Sequence, residues 1–419
     1  MLNVFNRIEF LKSYAVELLM DLIKIPAVNP EYGGGGGEYE KALYLYNVIK
    51  GWGFDDIKII NVPDNRARGG LRPNILAYIR GSSERRFWIL THLDVVPPGD
   101  LSAWTITKPF EPVVKNGRVY GRGAEDNGQG IVSSLIAAKA LLDEGVKPSR
   151  TVVLAFVSDE EAGSRYGIGY LVDKHRDLFG VDDVALVPDY GVSDGSFIEV
   201  AEKSILWVKL KIKGLQVHAS TPHKGLNPHK VASEFIVAVE EMLKERYGFR
   251  NDLFDPPITT CEPTMVKNTS GSPNIIPGGH EIVYDCRLLP EHGIDMLLED
   301  LKKVFDRIAS KYEKVFEGSR YPQLGIEVIE RSDSPPPTPV DSVIVRTLVK
   351  ALEELRGIKP RVGGIGGGTV AAFFRRLGIP AVVWSTIDDV AHMPNEYAKI
   401  DNIVNDAKVM AYLMMNLPL

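Results

Sequence analysis

The stretch 151-TVVLAFVSDEEAGS-164 decides how this chain is read. Seven mostly apolar, β-branched-rich residues run straight into Asp159, Glu160 and Glu161. An apolar run of this length reads as a buried strand. Three adjacent carboxylates at its mouth repel one another, so water, a base or a metal must offset the charge.

Similar runs recur along the first half of the chain: 73-PNILAYIRG-81, 86-RFWILTH-92 and 183-DVALVP-188. They alternate with helical patterns such as 129-QGIVSSLIAAKALLDEG-145, apolar at i, i+3, i+4 and i+7 and stopped by glycine. Near-continuous apolar strands separated by helices predict an α/β fold, a sheet covered on both faces. After residue 204 the pattern changes. The strand 205-ILWVKLKIKG-214 alternates, helix 229–248 follows, then strands near 259–267 and 280–289, helix 295–313 and strand 324-LGIEVIERS-332. The order β-α-β-β-α-β is that of a ferredoxin-like α+β unit. The run 335-PPPTP-339 reads as a stiff linker, beyond which 340–356 is helical and 380-PAVVWST-386 returns to the buried-strand type. We therefore expect one discontinuous domain, 1–204 plus 333–419, interrupted by a smaller one at 205–332.

The totals narrow the classes. A chain of 419 residues suits two to three domains. With 49 basic against 55 acidic residues and a net charge of −6, nothing points to nucleic acid or an anionic membrane. The N-terminus, with Arg7, Glu9, Lys12, Glu17 and Asp21 spaced among apolar residues, predicts an amphipathic helix and no signal peptide. No apolar run approaches the ~18 residues of a membrane span, so a cytoplasmic protein is expected. Cys261 and Cys286 are too few for a cysteine metal site and are expected as buried free thiols. The five glycines at 33–37 read as a flexible surface loop, since no Gly-Lys-Ser follows.

Ligands of open α/β sheets gather at the carboxyl ends of the strands. Just past the expected strands stand His92 and Asp94, then Asp159, Glu160 and Glu161, then Asp189, and finally His392 in 388-DDVAHMPNE-396; Asp126, in 121-GRGAEDNGQG-130, precedes a helix. Singly, each has an ordinary reading as a surface pair, turn or helix-start acid. Together, imidazoles and carboxylates without thiolate suit zinc, cobalt or manganese. The carboxylates outnumber what one ion needs, and two ions about 3.5–4 Å apart would neutralise them.

The ordered set 92-HLDVV-96, 121-GRGAEDNGQG-130, 158-SDEEAGS-164, 188-PDYG-191, 217-VHASTPHKGLNP-228, 274-NIIPGG-279, 284-YDCRLLP-290 and 366-GGGTVAAFF-374 resembles the M20 family of metallopeptidases and deacylases. The resemblance implies a dimetal catalytic domain with an inserted lid and dimerisation domain. It implies two divalent ions per subunit, zinc first and cobalt or manganese next: one held by His92, Asp126 and Asp189, the other by Asp126, Glu161 and His392. Asp94 would orient the His92 imidazole, Glu160 would act as general base, and a cis peptide would follow Asp126. His218 would polarise the scissile carbonyl, while Asn274, Arg287 and the turn Gly367-Gly368-Thr369 would hold the substrate. The implied activity is hydrolysis of an amide next to a free carboxylate, by an N-acyl-amino-acid deacylase of the succinyl-diaminopimelate desuccinylase or acetylornithine deacetylase type. A dipeptidase or carboxypeptidase of the same family is the alternative. The substrate is then a small acyl-amino acid or dipeptide, and the partner a second copy joined through the inserted domain. Asn127 after the bridging acid and Val370 after Gly-Gly-Thr depart from common family patterns and bear on substrate preference.

Overall fold

Arg150–Val157 lies inside a mixed sheet in which Asp56–Pro63, Leu71–Ile79, Arg150–Val157, Ser83–His92, Val184–Val187, Ala381–Val383 and Phe197–Glu202 stand side by side in that order. This is a computed structural model, and it describes residues 1–33 and 36–419. Four neighbours in the middle run parallel: Arg150–Val157 with Ser83–His92, that strand with Val184–Val187, and that one with Ala381–Val383. Parallel strands are covered on both faces. One face packs Trp88, Leu90, Val153, Ala155 and Val383 against Phe179 and Phe374, with Trp88 stacked on Phe179 at 4.9 Å. Helices Gly130–Asp143 and Ile400–Asn416 pack on the sheet and on each other. Because the four strands point the same way, the residues that follow them emerge at one edge.

A second sheet obeys the other rule. Thr260–Asn268, Gly279–Leu288, Ser204–Lys213 and Gln323–Ser332 are antiparallel in that order, with helices Pro228–Arg246 and Ile294–Tyr312 completing the β-α-β-β-α-β sequence. Leu206, Val208, Leu210 and Ile212 alternate inward to meet Phe235, Val239, Leu301 and Phe305. From the opposite face Lys209 and Lys211 pair with Glu327. Alternation marks a sheet with one buried face.

The chain divides into two units: Met1–Val200 with Thr338–Val362 and Thr369–Leu419, and Ala201–Pro337 with Gly363–Gly368. The segment Gly363–Gly368, placed by the sequence with the larger domain, goes with the second unit. The Lys203 N–H donates to Ile365 O at 3.0 Å, and the Arg287 guanidinium to Gly366 O at 2.9 Å.

Two further expectations change. Cys261 and Cys286 are not free thiols: antiparallel register sets them directly opposite each other, and a disulfide joins them across 25 residues of sequence. The expected strand at 380–386 is confined to Ala381–Val383. Of the glycines at 33–37, Gly34 and Gly35 lie outside the described residues, while Gly36 accepts a hydrogen bond from the Arg68 N–H at 2.9 Å. Among the described residues, no helix is long and apolar enough to cross a membrane.

Candidate metal centre

The edge formed by the parallel strands collects the expected ligands. His92 ends its strand opposite Val157, so the two strands deliver His92 and the Asp159–Glu161 turn side by side. His92 Nε2 lies 2.8 Å from Asp126 Oδ1 and 3.3 Å from Asp189 Oδ1. His392 Nε2 lies 3.0 Å from Asp126 Oδ2 and 3.1 Å from Glu161 Oε2. Asp126 therefore stands between two imidazoles, one carboxylate oxygen toward each. Ligand atoms of His92, Glu160 and Asp189 all fall within 4.8 Å of one another, as do those of His92, Asp126 and Glu161.

The glycines of 121-GRGAEDNGQG-130 make this approach possible. Gly123 has φ +83° and no room for a Cβ against Val95, and a Cβ on Gly128 would strike the Gly123 carbonyl. The peptide joining Asp126 to Asn127 is cis. The Asn127 amide then donates to Pro188 O at 2.8 Å and Asp189 Oδ1 at 2.7 Å, joining two ligand segments.

Asp94 does more than face the imidazole. His92 Nδ1 is 3.0 Å from the Asp94 carbonyl and 3.6 Å from its carboxylate. That carboxylate accepts the N–H groups of Glu160 at 3.0 Å and Glu161 at 3.1 Å, and the Asn29 amide at 2.7 Å. One buried acid thus fixes the backbone of the acidic turn. Asp159, in the left-handed region at φ +66°, is buried and accepts from Arg72 Nη2, Asn29 Nδ2 and the Tyr166 N–H, each at 3.0 Å. Arg72, itself fully buried, also forks onto Glu38 at 2.5 and 2.8 Å. Asn29, Glu38 and Arg72 are absent from the sequence reading because nothing local marks them. They are far apart in the chain and meet only behind this turn.

With protein charges alone the site is under electrostatic tension. Burial lowers the pKa of His92, but Asp189, Asp126 and Asp94 outweigh it and hold it well above the ordinary value. Hydrogen bonds to Asp126 and Glu161 push His392 up to about 10. Burial, then the Asp189 charge, pushes Glu160 well up, and burial takes Glu161 up to about 7. Glu161 Oε1 is buried with no hydrogen-bond partner. A buried, unpartnered carboxylate oxygen costs free energy that a cation would recover, so the donor set fits divalent metal.

The remaining predicted residues divide differently. In the second unit, Val217–His218 pairs with Ile275–Ile276 and the Ala219 N–H donates to Asn274 O at 2.8 Å, which brings His218 and Asn274 together. His218, an exposed residue, accepts the Ser220 N–H on Nδ1 at 3.1 Å, which leaves Nε2 as the nitrogen outside this bond. Arg287 is engaged by Asp285 through Nε at 2.6 Å and Nη2 at 3.0 Å, and by Gly366 O through Nη1. Chain neighbours aside, no atom of the described residues lies within 4 Å of where a Cβ would stand on Gly366 or Gly367, and for Gly368 the nearest is Glu202 Oε2 at 3.9 Å. Thr369 belongs to the first unit, where its hydroxyl accepts the Ala371 N–H at 3.2 Å.

Fold and site together define a metal-dependent hydrolase. The sequence model of peptidase family M20/M25/M40 matches residues 88–416, and the chain belongs to that family. It is 41% identical over 403 residues to an uncharacterized metallohydrolase of Methanocaldococcus jannaschii, covering 94% of this chain and 97% of that one. It is 25% identical over 408 residues to the succinyl-diaminopimelate desuccinylase of Pelagibacter ubique, covering 96% and 98%. Aminopeptidase PepT of Bacillus cereus shares the fold, with a TM-score of 0.73 over 96% of this chain and 98% of that one at 18% identity.

Metal uptake must displace protons from the imidazoles. With His392 at about 10 in the metal-free protein, that ring is charged at neutral pH, and affinity for divalent metal rises as pH climbs toward that value. Titration calorimetry in two buffers of different ionisation enthalpy should give unequal heats at about pH 8. Equal heats would contradict the charged imidazoles.

Proposed function

We propose that the protein hydrolyses an amide bond next to a free carboxylate, as an N-acyl-amino-acid deacylase of the succinyl-diaminopimelate desuccinylase or acetylornithine deacetylase type. One observation carries the reading. The N–H of Glu160 is held by Asp94, a carboxylate oxygen of Glu160 lies within 4.8 Å of ligand atoms of His92 and Asp189, and no side-chain hydrogen bond of Glu160 occurs among the described residues. An acid so placed, with its pKa raised by burial and the Asp189 charge, suits a role in proton transfer. The likeness to a desuccinylase over nearly the full length of both chains supports the substrate class.

His92, Asp126 and Asp189 would hold one divalent ion, and Asp126, Glu161 and His392 a second, zinc first with cobalt or manganese next. Bound there, the ions would polarise the scissile carbonyl and lower the pKa of water. Glu160 takes the proton from the attacking water and passes it to the leaving amine. Asp94 keeps Glu160 and Glu161 apart in role by fixing their backbone, so one side chain stays free while the other faces His392. To His218 we assign, on its motif, donation from Nε2 to the carbonyl oxygen as negative charge develops. To Asn274 and to the guanidinium donors that Asp285 and Gly366 leave over we assign the substrate carboxylate. The open backbone at Gly367 and Gly368, followed by Thr369, would line the same substrate.

A homodimer through residues 205–332 is part of this reading. Its support is the strand Gln323–Ser332, which among the described residues stands at the edge of its sheet beside Ser204–Lys213 and exposes Ile326, Val328 and Ile329. Such an edge is a template for pairing with another chain.

Three measurements test the proposal. Glu160→Ala should keep its metal and lose turnover by ~10²-fold or more, whereas Glu161→Ala should lose metal as well. Equal metal content and equal activity in the two variants would refute the assignment. A hydrolysis panel of succinyl-diaminopimelate, acetylornithine, other acyl-amino acids and dipeptides, run with zinc, cobalt and manganese, should give the highest kcat/KM on an acylated amino acid. A dipeptide in first place would move the chain to the peptidase reading. Sedimentation equilibrium should find a dimer at micromolar concentration, and a monomer there removes the dimer.

A further inference from the structure

Two buried glutamates that the mechanism leaves unused tie together the loops carrying Asp126 and His392. The Glu125 carboxylate accepts three main-chain N–H groups of the His392 loop: Asp388 at 2.8 Å on Oε1, and Val390 at 2.6 Å and Ala391 at 3.1 Å on Oε2. Glu396 answers from the other end of that loop. Its Oε1 accepts the N–H of Glu125 at 2.9 Å and of Asp126 at 3.1 Å. Its Oε2 accepts the Gly123 N–H at 2.9 Å and Arg122 Nη1 at 2.6 Å, and Arg122 Nη2 donates to His392 O at 3.1 Å. Each ligand loop therefore supplies the acid that holds the other loop's backbone.

The His392 loop needs such an external hold. Asp389, His392 and Asn395 sit at φ +60°, +63° and +59°, the left-handed region that side chains disfavour. Residues 388–391 belong to no helix or strand, so their N–H groups have no ladder to join. Glu125 and Glu396 are both nearly excluded from solvent, so these main-chain N–H groups are paired where water does not compete.

We propose that Glu125 and Glu396 are positioning residues that set the spacing of Asp126 and His392, and that this reciprocal clamp determines whether the second divalent ion is retained. The inference rests on the dimetal reading above. It is selective. The ion assigned to His92, Asp126 and Asp189 draws no ligand from the 388–392 loop, whereas the other depends on His392. Glu125 therefore governs one ion, while Glu396, acting on the shared Asp126, governs both.

The test is elemental analysis with a two-step zinc titration of the full chain. Glu125→Gln should weaken one ion about 10–100-fold, the scale of lost support behind a ligand, and leave the other within about twofold; Glu396→Gln should weaken both. Amide hydrogen exchange gives a readout independent of metal: the Asp388, Val390 and Ala391 N–H groups should be protected in the wild type and lose protection in Glu125→Gln. If that variant fails to fold, the wild-type exchange decides, and unprotected amides at those three positions overturn the clamp. A wild-type chain that holds fewer than two ions sinks the dimetal reading and the inference with it. A wild type with two ions, and a Glu125→Gln variant with two at unchanged affinities, overturns the inference alone.

Discussion

Like-charge crowding at the edge of the parallel strands is the constraint on which the larger unit depends. Asp94, Asp126, Asp159, Glu160, Glu161 and Asp189 converge on one largely buried patch. Two carboxylates 4 Å apart repel by about 4 kcal/mol at an effective dielectric of ~20, so such a patch folds only if each charge is answered. The protein answers some of them itself. Asp159 has Arg72, Asn29 and a main-chain N–H, and Asp94 has two main-chain N–H groups and Asn29. Asp126 and Glu161 are left with imidazoles, and Glu161 keeps one oxygen with nothing. The charges that the chain leaves unanswered are those a metal would neutralise.

This separation between acids the protein satisfies and acids it leaves open explains the local architecture. A ligand turn must be rigid, yet its side chains must not be consumed by internal bonds. Main-chain hydrogen bonds to neighbouring acids meet both needs. Asp94 anchors the Glu160–Glu161 turn, Glu396 anchors the Asp126 turn, and Glu125 anchors the His392 loop, all through N–H groups. The turns that carry Glu160, Glu161, Asp126 and His392 are thereby held through their main chain rather than through those side chains. The same logic appears in the second unit, where the Ser220 N–H holds His218 through Nδ1.

Much of the fold was legible because each unit obeys one simple rule. In the first, continuous apolar runs at 73–81, 86–92, 151–157 and 183–188 announce strands covered on both faces, and the structure has them at Leu71–Ile79, Ser83–His92, Arg150–Val157 and Val184–Val187. In the second, the alternation in Ser204–Lys213 announces one buried face. What escaped was structure without a strong period. Asp56–Pro63 is an edge strand with charges at Asp56 and Lys58 and mostly exposed residues, so its apolar signal is diluted. The departures in cysteine state and in the Gly363–Gly368 segment are likewise matters of pairing, which local pattern does not contain.

The order of the main buried strands, the β-α-β-β-α-β order of the second unit, the two kinds of sheet, and the polar residues that follow buried strands are all written locally in the chain. That information is local: burial on one face or two writes a period into the chain, and a charged residue after an apolar run stands out against it. How those residues are supported depends on partners distant in the chain. Asn29 meets Asp159 across 130 positions, Arg72 meets it across 87, and Glu125 meets Val390 across 265. An acid that accepts distant main-chain N–H groups looks in sequence like any other acid, because its partners carry no side-chain signature. The acids and imidazoles at the strand ends can be read along the chain, but the main-chain hydrogen bonds that hold their turns exist only once the strands and loops are brought side by side.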